Sequence, residues 1–397
     1  MIARKKCKIR GIWAIAGETA REVRVRVHVF MPQMKIVRGL GLFLAGLFTT
    51  LAFAITPAPA QNTTTGAFCA AADPLDNPVQ GRSYGDPHIQ TYDGFHYSFQ
   101  TIGEYILSKS RDGSFEVQAR QGRVGDRNNL SLNTAVAMNV CGHRVAIYVE
   151  DPEGDRETVW IDGDRTRIRD AEALPNGGEV QEVGRSDYAV IWPSGDQVLV
   201  HFINIGGDRF MNIMPTISRD RRNTMIGLLG NYNGNANDDL MSRDGSVLPG
   251  RSTYSVATRA LDSVLPAVIP VRQVEDAYFS DLYRRFGDSW RITQTESLFD
   301  YAPGESTVSF SDRSFPSQFF SLNGVAPARI ESALNTCRDA GVDEALLDGC
   351  VFDVAATGNN SFANAALNAI GNAVVQELRD RAIDEIRDAL PIPRFPF

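Results

Sequence analysis

Between residues 85 and 215, apolar and polar positions alternate over short runs, as in Phe115-Glu116-Val117-Gln118-Ala119. That period-2 pattern belongs to strands with one buried face. It predicts strands at residues 104–108, 115–121, 135–140, 144–149, 158–161, 166–169, 188–192, 198–204 and 211–214. Turn signals punctuate them at Cys141-Gly142, Asp162-Gly163, Gly177-Gly178, Ser194-Gly195-Asp196 and Gly206-Gly207-Asp208. Short strands spaced this regularly predict a mainly β fold, an antiparallel β-sandwich or a barrel.

Past residue 255 the period lengthens. Val274, Ala277, Tyr278, Leu282 and Phe286 share one face of a predicted helix over 272–286. Residues 300–325 are rich in Ser, Pro and Phe and read as irregular. Three helices follow, over 328–340, 344–356 and 362–390, with Gly341 and Gly358 at stops and Asp343 and Ser361 at starts. The last is amphipathic, with Ile370, Val374, Leu378, Ile383, Ile386 and Leu390 on its apolar stripe. Its polar face mixes Arg379 and Arg381 with Asp380, Asp384 and Glu385. It lacks the basic bias of a membrane-surface helix, so docking against the other helices is expected. The tail from Pro391 cannot continue it.

Charge changes the picture at the front. Of 40 Lys and Arg residues, ten lie in the first 60 positions, with only two of the 48 Asp and Glu. The net charge of −8 therefore hides a basic leader and a strongly acidic body. An acidic body argues against nucleic acid as a partner. From Met34 the leader reads Lys35, Arg38, an apolar run over 39–55, then Ala58-Pro59-Ala60, the parts of a secretory signal peptide in order. Cleavage near Ala60 would leave no membrane span in the mature chain. An uncleaved anchor is the alternative reading of the same run. Residues 1–30 read as a mis-assigned start or an extended leader. The body would then be secreted or at the cell surface, or periplasmic in a bacterium. It would keep Cys69, Cys141, Cys337 and Cys350, which allow three pairings. Cys337 with Cys350, close together in one helical segment, is the favoured pair, leaving Cys69 with Cys141.

The expected organisation is a leader over 1–60, a flexible linker over 61–80, a β domain over 81–250 and a connector with one helix over 251–325. A helical hairpin over 326–362 and a C-terminal helix and tail over 363–397 complete it.

The segment with the most chemistry is Gly227-Leu228-Leu229-Gly230-Asn231-Tyr232-Asn233-Gly234-Asn235-Ala236-Asn237-Asp238-Asp239-Leu240. Its Asn and Asp side chains are hard oxygen donors of the kind Ca²⁺ takes. No His or Cys lies nearby for zinc. It is not an EF-hand. Counted from Asn231, the sixth place is Ala236 rather than Gly, and the twelfth is Ser242 rather than Glu. An Asx-rich turn capping its own backbone is the other reading of this segment alone.

A second segment, Gly85-Asp86-Pro87-His88-Ile89-Gln90-Thr91-Tyr92-Asp93-Gly94-Phe95-His96-Tyr97, precedes the strands. Together with Gly103-Glu104-Tyr105, the 227–240 segment and Phe286-Gly287-Asp288-Ser289-Trp290, it resembles the von Willebrand factor type D domain. That resemblance covers about residues 81–250. It implies a β-sandwich with a structural calcium site. The implied ligands are Asp93, Asn231, Asn233, the Asn235 carbonyl, Asp238 and Asp239. Asn233 stands where the family often has Asp, and Asp238 where it often has Asn, so three carboxylates remain. One ion would then tie the first strands to the last loop of the domain.

The departures concern cysteines. Leu229 and Gly81 occupy both ends of a bridge usual in the family, and Tyr105 replaces another Cys. Their loss makes disulfide-linked multimers unexpected. Residues 328–362, with Cys337 and then Leu346-Leu347-Asp348-Gly349-Cys350-Val351-Phe352-Asp353, resemble the Cys-rich helical module that often follows such a domain. Only two of its cysteines are kept.

No G-x-S-x-G, H-E-x-x-H or phosphate-cradling loop marks an enzyme. His88 and His96 are expected to pack or hydrogen-bond. The Asp86-Pro87 bond is a sharper feature, because an Asp carboxylate can attack its own carbonyl and a proline nitrogen leaves more readily than most. Some family members break this bond. The alternative is that Pro87 stiffens strand entry. The expected function is a calcium-binding, noncatalytic protein of adhesion, matrix or protein–protein interaction, its partner an extracellular protein or a matrix or cell-surface component. Self-processing at Asp86-Pro87 followed by cross-linking is the alternative.

Overall fold

In the computed structural model, residue 69 and residues 77–154, 158–184, 187–205, 208–249, 271–319, 322 and 325–368 are described. The predicted leader, most of the linker and the amphipathic stripe from residue 370 onward lie outside them.

The chain opens one sheet with four short strands, β1 (Val79–Gln80), β2 (Arg82–Tyr84), β3 (His88–Gln90) and β4 (His96–Ser98). It crosses to a second sheet for β5 (Gly103–Ser110), β6 (Phe115–Arg123), β7 (Ser131–Val140), β8 (His143–Tyr148), β9 (Val159–Ile161) and β10 (Asp164–Arg165). It returns for β11 (Ala171–Ala173), β12 (Glu179–Val183), β13 (Asp187–Ile191), β14 (Gln197–Ile205) and β15 (Asp208–Ile217). Finally β16 (Met225–Ile226) pairs with β5. The first sheet runs β11-β12-β13-β14-β15-β2-β3-β4, with β1 also on β15, and the second runs β10-β9-β8-β7-β6-β5-β16. Every one of these pairings is antiparallel. Because β15 holds both β1 and β2, the start and end of the sandwich are neighbours.

Strand alternation decides what each face meets. On β14, Val198, Val200 and Phe202 enter the core between the sheets, and on β15 so do Met211, Ile213 and Ile217. The intervening Leu199 and Ile203, and Phe210 and Met214, join a second core with the C-terminal helices. Both faces of this sheet are therefore covered. The helices are α1 (Val271–Ser280), α2 (Pro327–Asp339), α3 (Glu344–Thr357) and α4 (Ser361–Asn368). The α3 sequence is apolar on most sides because it lies among α2, α4 and the sheet, burying Leu346, Leu347, Cys350, Val351, Val354 and Ala355. Disulfides join Cys337 to Cys350, between α2 and α3, and Cys69 to Cys141.

The outer face of the second sheet is strapped by residues 288–315. Gln118 on β6 accepts from the Leu298 amide (2.9 Å) and donates to the Glu296 carbonyl (2.7 Å). The Arg120 guanidinium pairs with Glu104 at 2.7 Å and lies 3.5 Å from the centre of the Phe310 ring. Residues 300–315 carry no helix or strand, as their composition predicts, yet Phe315 is fully buried.

Three local expectations are corrected. Residues 166–169 are not a strand; after the two-residue β10 the chain leaves the sheet, and Ile168 alone turns into the core. Residues 79–80, assigned to the linker, pair with β15. On the 272–286 helix Ala277 is exposed, while Phe279 and Tyr283 are buried. There α1 widens into a π-helical turn over Asp281–Gly287, which rotates the apolar stripe.

Candidate functional site

The turn between β3 and β4 meets the closing loop over 227–240. Thr91 shapes that turn: its hydroxyl accepts from the Phe95 amide at 2.8 Å and donates to Asp239 at 2.5 Å. The Asp93 carboxylate accepts from the amides of Asn233 and Gly234, each at 2.9 Å. Tyr92 donates its amide to the Leu229 carbonyl at 3.2 Å, and the Tyr97 hydroxyl donates to the Leu228 carbonyl at 2.6 Å. The opening turn and the closing loop are thus bonded directly across 140 positions of sequence.

Inside the loop the Asx side chains hold one another. Asn231 and Asn233 each donate a side-chain N–H to Asp238 at 3.1 Å. The Asn235 amide donates to the Asn233 side chain at 2.7 Å, and the Asn231 amide to Asp239 at 3.3 Å. Asn235 caps the short 3-10 turn Ala236–Asp238. Gly230 is required here: at φ +81° a Cβ would lie 2.2 Å from the Asp239 carboxylate. Burial raises the Asp239 pKa to about 6; Thr91 opposes this by hydrogen bonding, and the charges of Asp93 and Asp238 add to it.

The six residues proposed from sequence are therefore one connected constellation. Thr91 belongs to it and was not anticipated. The Asx groups form hydrogen bonds within the loop, as the turn reading expects. The charges of Asp93 and Asp238 acting on Asp239 are what a divalent cation would relieve, and oxygen-only donors suit Ca²⁺. On donor chemistry the residues fit the ion.

A second cluster lies on the same opening motif. Among the described residues, one trio of acidic or His side chains brings its ligand atoms within 4.8 Å of each other: Asp86, His88 and Asp353. All three are buried. His88 Nε2 is 2.6 Å from Asp353 Oδ1 and 2.7 Å from Asp86 Oδ1, and Nδ1 is 2.9 Å from the Ser98 hydroxyl. Asp353 comes from α3, 265 positions away. Two glycines permit the approach: a Cβ at Gly85 would lie 2.5 Å from Asp353 Oδ2, and one at Gly349 2.6 Å from the Tyr84 hydroxyl. Sequence reading expected His88 to hydrogen-bond. It did not find Asp353, although Asp353 ends the stretch that resembles the helical module.

Burial alone would lower the His88 pKa, but the charges of Asp353 and Asp86 raise it to about 10. Burial, then Asp86, raises Asp353 well above the carboxylate range. Both shifts mean the folded cluster retains protons that the unfolded chain releases. Its stabilisation is therefore lost as pH rises. The expected result is a melting temperature that falls between pH 6.5 and about 10. His88→Gln should flatten that slope, as calorimetry would read.

A two-sheet antiparallel sandwich, clasped where its opening turn meets an Asx-rich closing loop, defines a class of extended β domain. Residues 81–246 match the family described as the von Willebrand factor type D domain, and this part of the chain is such a domain. Similar proteins include mouse mucin-4, 25% identical over 206 residues, covering 47% of this chain and 5% of that protein. Human sushi domain-containing protein 2 is 24% identical over 304 residues, covering 72% and 32%. Human zonadhesin is 28% identical over 172 residues, covering 41% and 5%. The chain spans less than a third of each of these relatives.

The missing family bridge has a physical substitute. Leu229 fills the space beside Gly81, where a Cβ would lie 2.8 Å from its Cδ1. Gly81→Cys combined with Leu229→Cys should oxidise to a bridge and raise stability by about 2 kcal/mol, read as a shift in denaturation midpoint that reductant reverses. A midpoint indifferent to reductant would show that the two positions cannot reach disulfide geometry.

Proposed function

We propose that this chain is an exported, noncatalytic interaction protein of the adhesion or matrix type, whose type D domain is clamped by one Ca²⁺. Asp93, Asn231, Asn233, the Asn235 carbonyl, Asp238 and Asp239 would hold the ion. The observation that carries this reading is the direct bonding of the Asp93 turn to a loop whose buried Asp239 also feels the charges of Asp93 and Asp238. Two disulfides and the leader's signal-peptide pattern support an oxidising, extracellular setting. The resemblance to a mucin and to zonadhesin supports the interaction role. Among the described residues no helix is long and apolar enough to cross a membrane. Isothermal titration calorimetry tests the ion directly. One calcium per chain is expected, lost in Asp93→Ala; no heat in the parent chain overturns the clamp.

A second reading is favoured by a separate observation. The Asp86 carboxylate is buried beside its own bond to Pro87, with His88 Nε2 2.7 Å from its Oδ1. Such a group suits self-processing at Asp86-Pro87, leaving an activated acyl end that a partner's amine could capture.

A further inference from the structure

The geometry points to Asp353, on α3 of the helical module, as the positioning residue for self-cleavage at Asp86-Pro87, so that the break requires the helices docked on the sandwich. The inference rests on the self-processing reading and adds a residue from outside the type D domain.

The argument begins with one proton. His88 Nε2 lies almost equally close to two carboxylates, 2.6 Å from Asp353 and 2.7 Å from Asp86. A ring nitrogen carries a single hydrogen, so the two carboxylates compete for it, and Asp353 is the closer. Asp86 Oδ1 therefore shares the imidazole with Asp353 instead of holding it alone. A carboxylate that holds an imidazolium alone is a poor nucleophile; one that shares it with a second carboxylate is a better one. Asp353 also meets the backbone of the reacting residue, since the Asp86 amide points at its Oδ2 from 3.4 Å. The Gly85 amide donates to Asn212 at 3.1 Å, and the Pro87 carbonyl accepts from Phe99 at 2.7 Å. The turn that bears the bond is therefore fixed on both sides.

The second carboxylate also supplies an acid. Two buried carboxylates and one imidazolium carry a net negative charge, so the cluster holds an extra proton near neutrality. In the reaction an Asp86 carboxyl oxygen bonds to the Asp86 carbonyl carbon, and the bond from that carbon to the Pro87 nitrogen breaks. The proton released by the cluster ends on that nitrogen. The products are a cyclic anhydride at Asp86 and a secondary amine at Pro87. Water opens the anhydride to an acid, or an amine opens it to an amide. Other titratable groups around the trio are Tyr84 on β2, His96 on β4, Arg82 and Asp348.

The Cys69–Cys141 disulfide spans the bond, so the two pieces stay joined until reduced. The test is mass spectrometry of the reduced full chain after incubation between about pH 4 and 8. A fragment beginning at Pro87 is expected after reduction; before it the joined pieces have the parent mass, or that of one added water once the anhydride has opened. In Asp353→Asn, His88 pairs with Asp86 alone and the extra proton is lost. The break should slow by about tenfold or more at pH 6, with the pH–rate profile displaced to lower pH. Asp353→Glu, which keeps the acid, should recover rate with the parent's pH dependence; should the Asn variant not fold, the Glu variant's profile decides. Equal rates and profiles in parent and Asp353→Asn, or a Glu variant that folds and is inert, overturn the role of Asp353 alone. A parent chain unbroken at every pH overturns the self-processing reading, and the role of Asp353 with it.

Discussion

Asp196→Ala should destabilise the sandwich by about 3–5 kcal/mol, because it strands a buried guanidinium. Asp196 and Arg221 are both fully buried and pair at 2.7 Å. The carboxylate also accepts from the Ser218 amide at 2.7 Å and from the Ser194 hydroxyl. Arg221 Nη1 donates to Ser114 at 3.0 Å, and the guanidinium lies 5.0 Å from the centre of the Phe115 ring. Asp196 sits in the β13–β14 turn, Ser114 between β5 and β6, and Arg221 just past β15, so the network ties both sheets together. It also braces the closing loop. Thr224 donates to the Arg221 carbonyl, Asn223 to the Tyr232 carbonyl and Arg222 to the Asn233 carbonyl. Denaturant unfolding monitored by tryptophan fluorescence would read the loss. Glu153→Ala, which breaks an exposed pair with Arg165, should cost less than about 1 kcal/mol in the same assay. A comparably small loss for Asp196→Ala would mean that water reaches Arg221 and that the network is not sealed.

Chelation is expected to lower the melting temperature substantially. At a free calcium concentration a hundredfold above the dissociation constant, a site specific to the folded state adds about 2.7 kcal/mol. For a domain of this size that is a shift of about 5 °C or more. Asp239→Asn makes the test sharp, because its two effects have opposite signs. Burial and two neighbouring carboxylates make ionised Asp239 costly without an ion. The Asn variant should therefore melt above the parent in chelator, since an amide removes the repulsion. It should melt below the parent in calcium, since the charge that holds the ion is gone. Crossed melting temperatures are the expected signature in differential scanning calorimetry. Parallel curves for the two proteins, or a parent curve indifferent to chelator, would count against a calcium clamp.

The sites differ in how far the sequence reveals them. The Asp93 turn and the Asx loop are visible because each is a dense local motif, and their contact follows from β15 holding both ends of the sandwich. Asp353 is invisible for the opposite reason. It is one acid among many on a helix, and only the docking of α3 against Gly85 brings it to His88. The four opening strands escape periodicity because strands of two or three residues are too short to display a period.

Alternating side chains in β14 and β15 determined that strands would form and which residues would share a face, because period-2 burial is written residue by residue. The sequence also determined the donor chemistry of the loop. The tertiary structure alone decided that the outward faces of those strands lie under helices, that residues 288–315 strap the other sheet, and that His88 is flanked by acids from both ends of the chain. Each of these depends on which surfaces meet after more than a hundred residues of intervening chain. Local preference carries no information about that; shared burial does.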